Sequence, residues 1–214
     1  MPHDHHDHHD HLSPSGHPFR DDNDTPLSYW QRMEIAVREL MIEKGHVSPE
    51  EIALQIDAMD ARNPANGAAV VARAWTDAEF RTRLLEDASE ASREMGFDIG
   101  PMRLIAVENT ADVHNLIVCT LCSCYPRNLL GLPPDWYKTR AYRSRAVIEP
   151  RAVLREFGLD LADDVQLRVH DSTADMRYIV LPARPEGTDG MDEAALAALV
   201  TRDSMIGTGL PRVP

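Results

Sequence analysis

The first half of the chain carries apolar residues at the spacing of amphipathic helices. Met33, Val37 and Leu40 recur every three or four positions, and this run stops at Gly45. The segment Ser48–Glu51 is a capping box with proline in its first turn, so it predicts the start of a second helix. The pattern therefore predicts consecutive helices from residue 27 onward.

A third helix is predicted to begin at the box Thr76–Glu79 and to end at Gly96. Its apolar side is formed by Phe80, Leu84, Ala88, Ala91 and Met95. Nothing catalytic stands out in this region. We therefore interpret the apolar stripes as packing surface, part of which faces a partner chain.

The second half of the chain changes to short β-branched runs. Strands are predicted at Met102–Val107, Val113–Val118, Val165–Val169 and Tyr178–Leu181. Helices are predicted around Arg151–Phe157 and Asp192–Val200. Strands and helices do not alternate regularly, and the sequence has no glycine-rich phosphate loop. The pattern predicts an α+β fold and not a doubly wound nucleotide-binding domain.

These patterns divide the chain into three predicted parts. Residues 1–26 form a tail that holds seven of the ten histidines and is predicted to be disordered. Residues 27–98 form a helical arm, and residues 99–214 form an α+β domain. Imidazoles and carboxylates bind divalent metals, so a metal-gathering tail stays open beside a plain solvated one.

Composition and charge narrow the function classes. Hydrophobic residues make up 43% and charged residues 27%, as in ordinary globular proteins. The 35 acidic residues outnumber the 22 basic ones, and a net charge of -13 repels phosphate, so we expect no nucleic-acid partner. The sequence has neither a membrane-spanning apolar run nor a secretory signal. We therefore expect a soluble cytoplasmic protein with no membrane partner.

All three cysteines lie within six positions, directly after the predicted strand Val113–Val118. An odd, tightly spaced set fits no disulfide framework. Structural zinc requires four ligands, and beyond the helical arm only His114 and His170 are available as a fourth. A single histidine at a strand end more typically makes structural hydrogen bonds.

The step Cys122-Ser123-Cys124 suggests a different metal chemistry. Two thiolates one residue apart hold the intervening backbone amides against a bound ion. If those amides lose their protons, the loop offers three sulfur and two nitrogen donors, counting Cys119. Only a strongly polarising ion displaces peptide protons, so this arrangement favours a trivalent low-spin metal. The sixth position would then serve as a Lewis acid. The spacing alone leaves both this ion and zinc open.

The segment Val118–Pro126, Val-Cys-Thr-Leu-Cys-Ser-Cys-Tyr-Pro, resembles the metal-claw motif of the nitrile hydratase α subunit and of the related thiocyanate hydrolase γ subunit. The resemblance runs from about residue 30 to residue 210. Other segments similar to the family are Leu130–Lys138, Tyr142–Arg145, Arg177–Pro182, Gly187–Gly190 and Val200–Gly207.

The resemblance implies a specific ligand set. The metal ligands would be the thiols of Cys119, Cys122 and Cys124 with the backbone nitrogens of Ser123 and Cys124. Cys122 would be oxidised to a sulfinate and Cys124 to a sulfenate, both stabilised by arginines of the partner subunit. Thr120 stands where the iron enzymes of the family carry serine. The implied cofactor is therefore one Co(III) per subunit, with Fe(III) as the alternative.

The resemblance also implies a reaction and a partner. Either the sulfenate oxygen of Cys124 or a metal-activated water would attack the carbon of a small nitrile and yield the amide. The implied architecture is a helical N-terminal arm that embraces a β subunit, followed by a layered α/β C-terminal domain. The active site would lie at the subunit interface, so the chain alone would be inactive. A cobalt-insertion activator is a further expected partner.

One departure from the motif leaves the substrate open. Arg127 stands where nitrile hydratases usually carry tryptophan. An arginine suits an anion such as thiocyanate, or alternatively a salt bridge at the surface or interface. The sequence thus predicts a nitrile hydratase α subunit with Cys122, Ser123, Cys124 and Arg127 at its catalytic site. The alternative is a thiocyanate hydrolase γ subunit, which releases carbonyl sulfide and ammonia.

A non-catalytic metal-delivery protein is the alternative from another class. Such a protein would exchange its metal readily, whereas a claw around Co(III) would be nearly inert, so mild chelation distinguishes the two. Asp171 beside His170 suggests an acid–base pair. Adjacent residues on a strand point to opposite faces, so we predict that Asp171 braces the site or the turn.

Overall fold

The computed structural model describes residues 26–214 as a mixed assembly of helices and strands. The helices are α1 (Tyr29–Glu43), α2 (Pro49–Asp60), α3 (Pro64–Thr76), α4 (Ala78–Glu86), α5 (Ala88–Glu94), α6 (Arg127–Leu130), α7 (Arg140–Ile148), α8 (Pro150–Glu156), α9 (Glu193–Leu199) and α10 (Arg202–Ile206). The strands are β1 (Arg103–Glu108), β2 (Val113–Val118), β3 (Gln166–Asp171) and β4 (Met176–Leu181), and a 3₁₀-helix covers Asp135–Lys138. Each of the four predicted strands is present within two residues of its predicted bounds.

The strands form two parallel pairs, β1 with β4 and β2 with β3. Parallel neighbours require a crossover connection, so each pair joins segments that are distant in the sequence. In the β2–β3 pair Val118 lies opposite Asp171. The end of β2 is therefore held beside the end of β3, and the cysteine loop begins at that point.

The structure divides into two compact units, and all four strands lie in the second, Leu54–Pro214. Its buried core combines side chains of α3 and α4, such as Val71 and Leu84, with strand residues such as Leu116 and Val180. The helices α3 to α5, which the sequence groups with the arm, thus contribute to the same core as the strands. Each fully buried aliphatic side chain contributes about 1.5–3 kcal/mol.

Helix α1 in the first unit exposes an apolar face. Ser28 caps it through a reciprocal capping box with Gln31. Among the described residues α1 contributes no buried side chain, and Trp30, Val37 and Leu40 are exposed. Val37 and Leu40 are positions of the predicted stripe, and its role as partner surface stays a prediction.

Two details of the predicted third helix were wrong. Asp77 and not Thr76 caps its start, because the Asp77 carboxylate accepts the backbone N–H of Phe80. The predicted single helix is also two helices, α4 and α5. Asp87 interrupts them because its carboxylate caps α5 by accepting the backbone N–H groups of Ser89 and Glu90.

None of the helices in residues 26–214 combines the length and the apolar character needed to cross a bilayer.

Candidate metal centre

The three cysteines occupy the loop between β2 and α6, and their sulfur atoms converge. The Sγ atoms of Cys119 and Cys122 are 3.4 Å apart, and those of Cys122 and Cys124 are 3.1 Å apart. All three lie within 4.8 Å of one another, and none forms a disulfide in the described chain. Cys119 and Cys124 are buried, whereas Cys122 is exposed. The loop therefore presents one face of sulfur donors, a set suited to a soft or borderline metal ion.

The sulfur separations discriminate between coordination geometries. With metal–sulfur bonds of about 2.3 Å, two thiolates of a tetrahedral site lie about 3.8 Å apart, and two adjacent ligands of an octahedral site about 3.3 Å. The observed 3.4 and 3.1 Å are close to the octahedral value. The donor set thus fits a six-coordinate ion better than structural zinc.

Two charged side chains clamp the start of the cysteine loop. The Asp171 carboxylate accepts the backbone N–H of Thr120 at 2.9 Å and its hydroxyl at 2.6 Å. From α7, the guanidinium of Arg143 donates to the carbonyl oxygens of Cys119 (3.1 Å) and Thr120 (2.8 Å). The predicted bracing role of Asp171 is confirmed, because its carboxylate holds the residue between the first two thiols.

Buried tyrosines hold the other parts of the loop. The Tyr137 hydroxyl donates to the carbonyl oxygen of Cys124 at 2.9 Å, and the Tyr142 hydroxyl donates to that of Ile117 at 2.6 Å. Tyr125 packs edge-on against Tyr137 with ring centroids 5.2 Å apart. The tyrosines thus hold the strand that leads into the loop and the third cysteine of the loop, as expected of a preorganised ligand set.

The thiols differ in acidity because their surroundings differ. Hydrogen bonds from Cys124 and Cys119, with the backbone N–H groups of Ser123 and Cys124, lower the pKa of Cys122 to about 7. Burial and the hydrogen bond to Cys122 raise the pKa of Cys124 to about 12, although the positive charge of Arg177 opposes this. Within this loop the backbone N–H of Cys122 donates to the Cys119 sulfur at 3.3 Å, so one loop amide is directed at the thiol cluster.

The two histidines considered as extra ligands have other partners. His114 is buried, and its Nε2 donates to the carbonyl oxygen of Gly207 at 2.7 Å. Nε2 of His170 donates to the side-chain oxygen of Asn115 at 2.8 Å. Burial lowers the pKa of both imidazoles. Both are structural hydrogen-bonding residues, and the described metal-binding group contains the three cysteines without them.

A cavity of about 770 Å³ opens beside the thiols, within the Leu54–Pro214 unit. Cys122, Ser123, Cys124 and Arg127 line it together, so the structure brings together four of the five predicted site residues. Its lining also includes Met59, Arg62, Met102, Tyr125, Asn128, Leu132, Pro133, Lys138 and Arg177. None of these described lining residues is acidic.

Three basic residues of this cavity were not among the predicted site residues. Arg62, Lys138 and Arg177 come from separate parts of the chain: the α2–α3 connection, the 3₁₀-helix and β4. A signal existed for Arg177, which shares one face of its strand with the buried residues Ile179 and Leu181. A basic residue on a strand face that otherwise carries buried apolar side chains indicates that this residue has a role in a polar site.

Comparison with known proteins gives a consistent result. A family profile described as "Nitrile hydratase, alpha chain" matches residues 28–209. The chain is 50% identical over 183 residues to the low-molecular-weight cobalt-containing nitrile hydratase α subunit of Rhodococcus rhodochrous, covering 84% of this chain and 87% of that one. It is 44% identical over 200 residues to the thiocyanate hydrolase γ subunit of Thiobacillus thioparus, covering 87% and 82%.

A solved structure extends the similarity to the fold. A double mutant of the Fe-type nitrile hydratase from Comamonas testosteroni Ni1 superimposes with a TM-score of 0.82 at 41% identity. The match covers 89% of this chain and 94% of that one. Relatives that carry cobalt and relatives that carry iron therefore share this fold.

Proposed function

The chain belongs to the nitrile hydratase α-chain family, and on that premise we propose that it is the metal-binding subunit of a cobalt enzyme that hydrates nitriles to amides. The observation that carries this proposal is the converging sulfur cluster in a chain half identical to a cobalt-containing nitrile hydratase subunit. One water molecule adds across the C≡N bond, so the products contain every atom of the two reactants.

The proposed ligands are the thiols of Cys119, Cys122 and Cys124 and the backbone nitrogens of Ser123 and Cys124. The sulfur separations support the thiol part of this set. We assign Co(III) and not Fe(III), because Thr120 occupies the position where iron enzymes carry serine and because the half-identical relative contains cobalt. When bound, the ion supplies Lewis-acid polarisation of the substrate C≡N group.

Two of the thiols are proposed to be oxidised by dioxygen, Cys122 to a sulfinate and Cys124 to a sulfenate. The exposure of Cys122 supports the further oxidation of this thiol, since accessibility controls reactivity. The proposed nucleophile toward the nitrile carbon is either a metal-activated water or the oxygen on Cys124, which a water molecule would then replace. The clamp of Asp171 and Arg143 would keep the loop fixed during the reaction.

We propose that α1 and the start of α2 form an arm that contacts a β subunit, and that the chain alone is inactive. The exposed apolar face of α1 supports a partner surface, because a free soluble helix rarely presents so many large apolar side chains. The free thiols suit the reducing cytoplasm, which is our proposed location. A cobalt-insertion activator remains a proposed additional partner.

Thiocyanate hydrolysis is the second candidate, and the position of Arg127 favours it. Arg127 is exposed and lines the cavity with Cys122 and Cys124, where a guanidinium would contact an anion. The thiocyanate hydrolase relative adds support. In that reaction thiocyanate and two water molecules yield carbonyl sulfide, ammonia and hydroxide.

The test is to co-express the chain with its genomic neighbours in cobalt medium and to measure initial rates on propionitrile and on thiocyanate. Amide formation that requires cobalt, with no thiocyanate turnover, is the expected result. Carbonyl sulfide and ammonia with little amide would establish the second candidate. The matched control is Cys122→Ser, which keeps the size of the side chain but removes a ligand. An equal rate in this variant would contradict the proposed site.

A further inference from the structure

The cavity beside the thiols has a charge opposite to that of the whole chain. The protein carries a net charge of -13, with 35 acidic and 22 basic residues. Around the cavity this balance is reversed. The basic residues of its lining are Arg62, Arg127, Lys138 and Arg177, and no acidic residue of the described chain joins them. A cleft lined by one sign of charge concentrates ions of the opposite sign.

Arg177 carries an unused hydrogen-bond donor. Its Nη1 donates to the backbone oxygens of Thr173 and Met176, which fixes the guanidinium. Its Nε is buried and has no acceptor in the described structure. A buried donor without an acceptor costs about 1–3 kcal/mol, so this N–H is suited to a ligand that brings an acceptor. The charge of Arg177 also acts on the Cys124 thiol, which places it at the claw end of the cavity.

Arg62 and Arg127 are held near one another by the backbone. Gly131, directly after α6, has a φ of 72°, and a Cβ there would lie 2.3 Å from the carbonyl oxygen of Arg62. This close approach ties the α2–α3 connection to the short helix that begins at Arg127. Within residues 26–214 neither Arg62 nor Arg127 forms a salt bridge with a carboxylate. The Nζ atom of Lys138, in contrast, lies 3.5 Å from a carboxylate oxygen of Asp135.

We infer that the substrate is a small nitrile that also carries a carboxylate and that Arg62, Arg127 and Arg177 select it by its negative charge. The inference rests on the proposed function and specifies the substrate class of that site. A volume of about 770 Å³ admits such a nitrile together with water.

The experiment uses the cobalt-loaded complex with its partner subunits. It compares kcat/KM for 3-cyanopropanoate and 3-cyanopropanamide, which share a skeleton and differ in charge, and for thiocyanate. We expect the carboxylate to exceed the amide by about 10-fold at low salt, with a smaller ratio at roughly 300 mM salt because salt screens the attraction. A preference for thiocyanate over the carboxylate would overturn the inference and would favour the second candidate function.

Variants separate anion selection from subunit contacts. Arg62→Gln should lower the carboxylate-to-amide ratio of kcat/KM several-fold, and Arg177→Gln should do the same. Since Arg177→Gln can impair folding, Arg177→Lys serves as the charge-retaining variant and should recover most of the ratio. Arg155→Gln is the control, because Arg155 is exposed on α8, outside the cavity.

Equal kcat/KM for the carboxylate and the amide would overturn the inference and would assign the basic residues to contacts with acidic groups of a partner subunit. It would leave the proposed function intact, because the amide would still be hydrated. A ratio unaffected by Arg62→Gln and Arg177→Gln would likewise overturn the inference. Failure of the loaded complex to turn over all three compounds would overturn the proposed function and the inference with it.

Discussion

Gly207 is the position where a single methyl group should do the most damage to the support of the metal centre. It follows α10 with a φ of 92°, and a Cβ there would lie 1.9 Å from the carbonyl oxygen of Asn115 in β2. Ordinary contacts of this kind begin near 3.4 Å, so β2 must move by more than 1 Å. The backbone oxygen cannot rotate away as a flexible side chain would. The strand that carries the cysteine loop therefore shifts.

The magnitude of Gly207→Ala follows from two costs. A left-handed backbone costs an alanine about 1–2 kcal/mol, and overpacking against a fixed strand adds about 1–3 kcal/mol. We therefore expect a loss of about 2–5 kcal/mol in the free energy of unfolding. The variant should also retain less cobalt, because His114 of β2 donates to the Gly207 carbonyl and links the two segments.

The assay is urea unfolding of the complex purified with its partner subunits, followed by metal analysis of the folded fraction. Gly187→Ala is the matched control, because Gly187 has a φ of 75° but nothing within 4 Å of the added Cβ. It should lose only the backbone cost of about 1–2 kcal/mol. Equal losses in the two variants would refute the reasoning, since the contact with Asn115 would then contribute nothing.

Three further predictions concern the metal and the pH response. Asp171→Ala should lower metal affinity about 10–100-fold, as measured by metal content after chelator dialysis, whereas Asp164→Ala, an exposed control, should not change it. Protein that is stripped of its metal and reloaded with zinc should not hydrate nitriles, because the sulfur separations fit octahedral coordination. The rate of protein reloaded with cobalt provides the comparison. Burial lowers the pKa of His114 and His170, so the unfolded chain binds more protons below about pH 6.5, and stability should fall as the pH drops through that value. The urea midpoint at pH 5.5 should therefore fall less in His114→Gln than in the unsubstituted protein.

Local sequence patterns account for the parts of the site that are close in the chain. The thiols of Cys119, Cys122 and Cys124 follow a strand directly, so their spacing alone indicated convergence on one ion. The adjacency of His170 and Asp171 on a strand likewise indicated that the carboxylate braces the loop, which the contacts with Thr120 confirm. In each case the deciding geometry is set by a few consecutive residues.

The cavity could not be predicted in this way, because its basic residues meet only through tertiary packing. Arg62 and Arg127 line the same cavity because the backbone of Arg62 lies close to Gly131, and no local pattern predicts that approach. The break between α4 and α5 was missed for a different reason. The apolar spacing continues through Asp87 without a break. The Asp87 carboxylate nevertheless ends α4 there, because it accepts backbone N–H groups and caps the start of α5. The spacing of apolar residues indicates which face of a helix is buried. It does not indicate where a side chain replaces a backbone carbonyl as the hydrogen-bond acceptor and thereby ends the helix.

The pairing of β2 with β3 also sets an order in time. Thr120 and the carboxylate that holds it are separated by 51 residues. At a synthesis rate of about 5–20 residues per second, the thiols leave the ribosome's catalytic centre roughly 3–10 s before Asp171 is added. During that interval the carboxylate that holds Thr120 is missing, and a metal ion would meet thiols whose loop lacks this part of its clamp. The sequence order thus delays the formation of a selective site until the later half of the domain has been made.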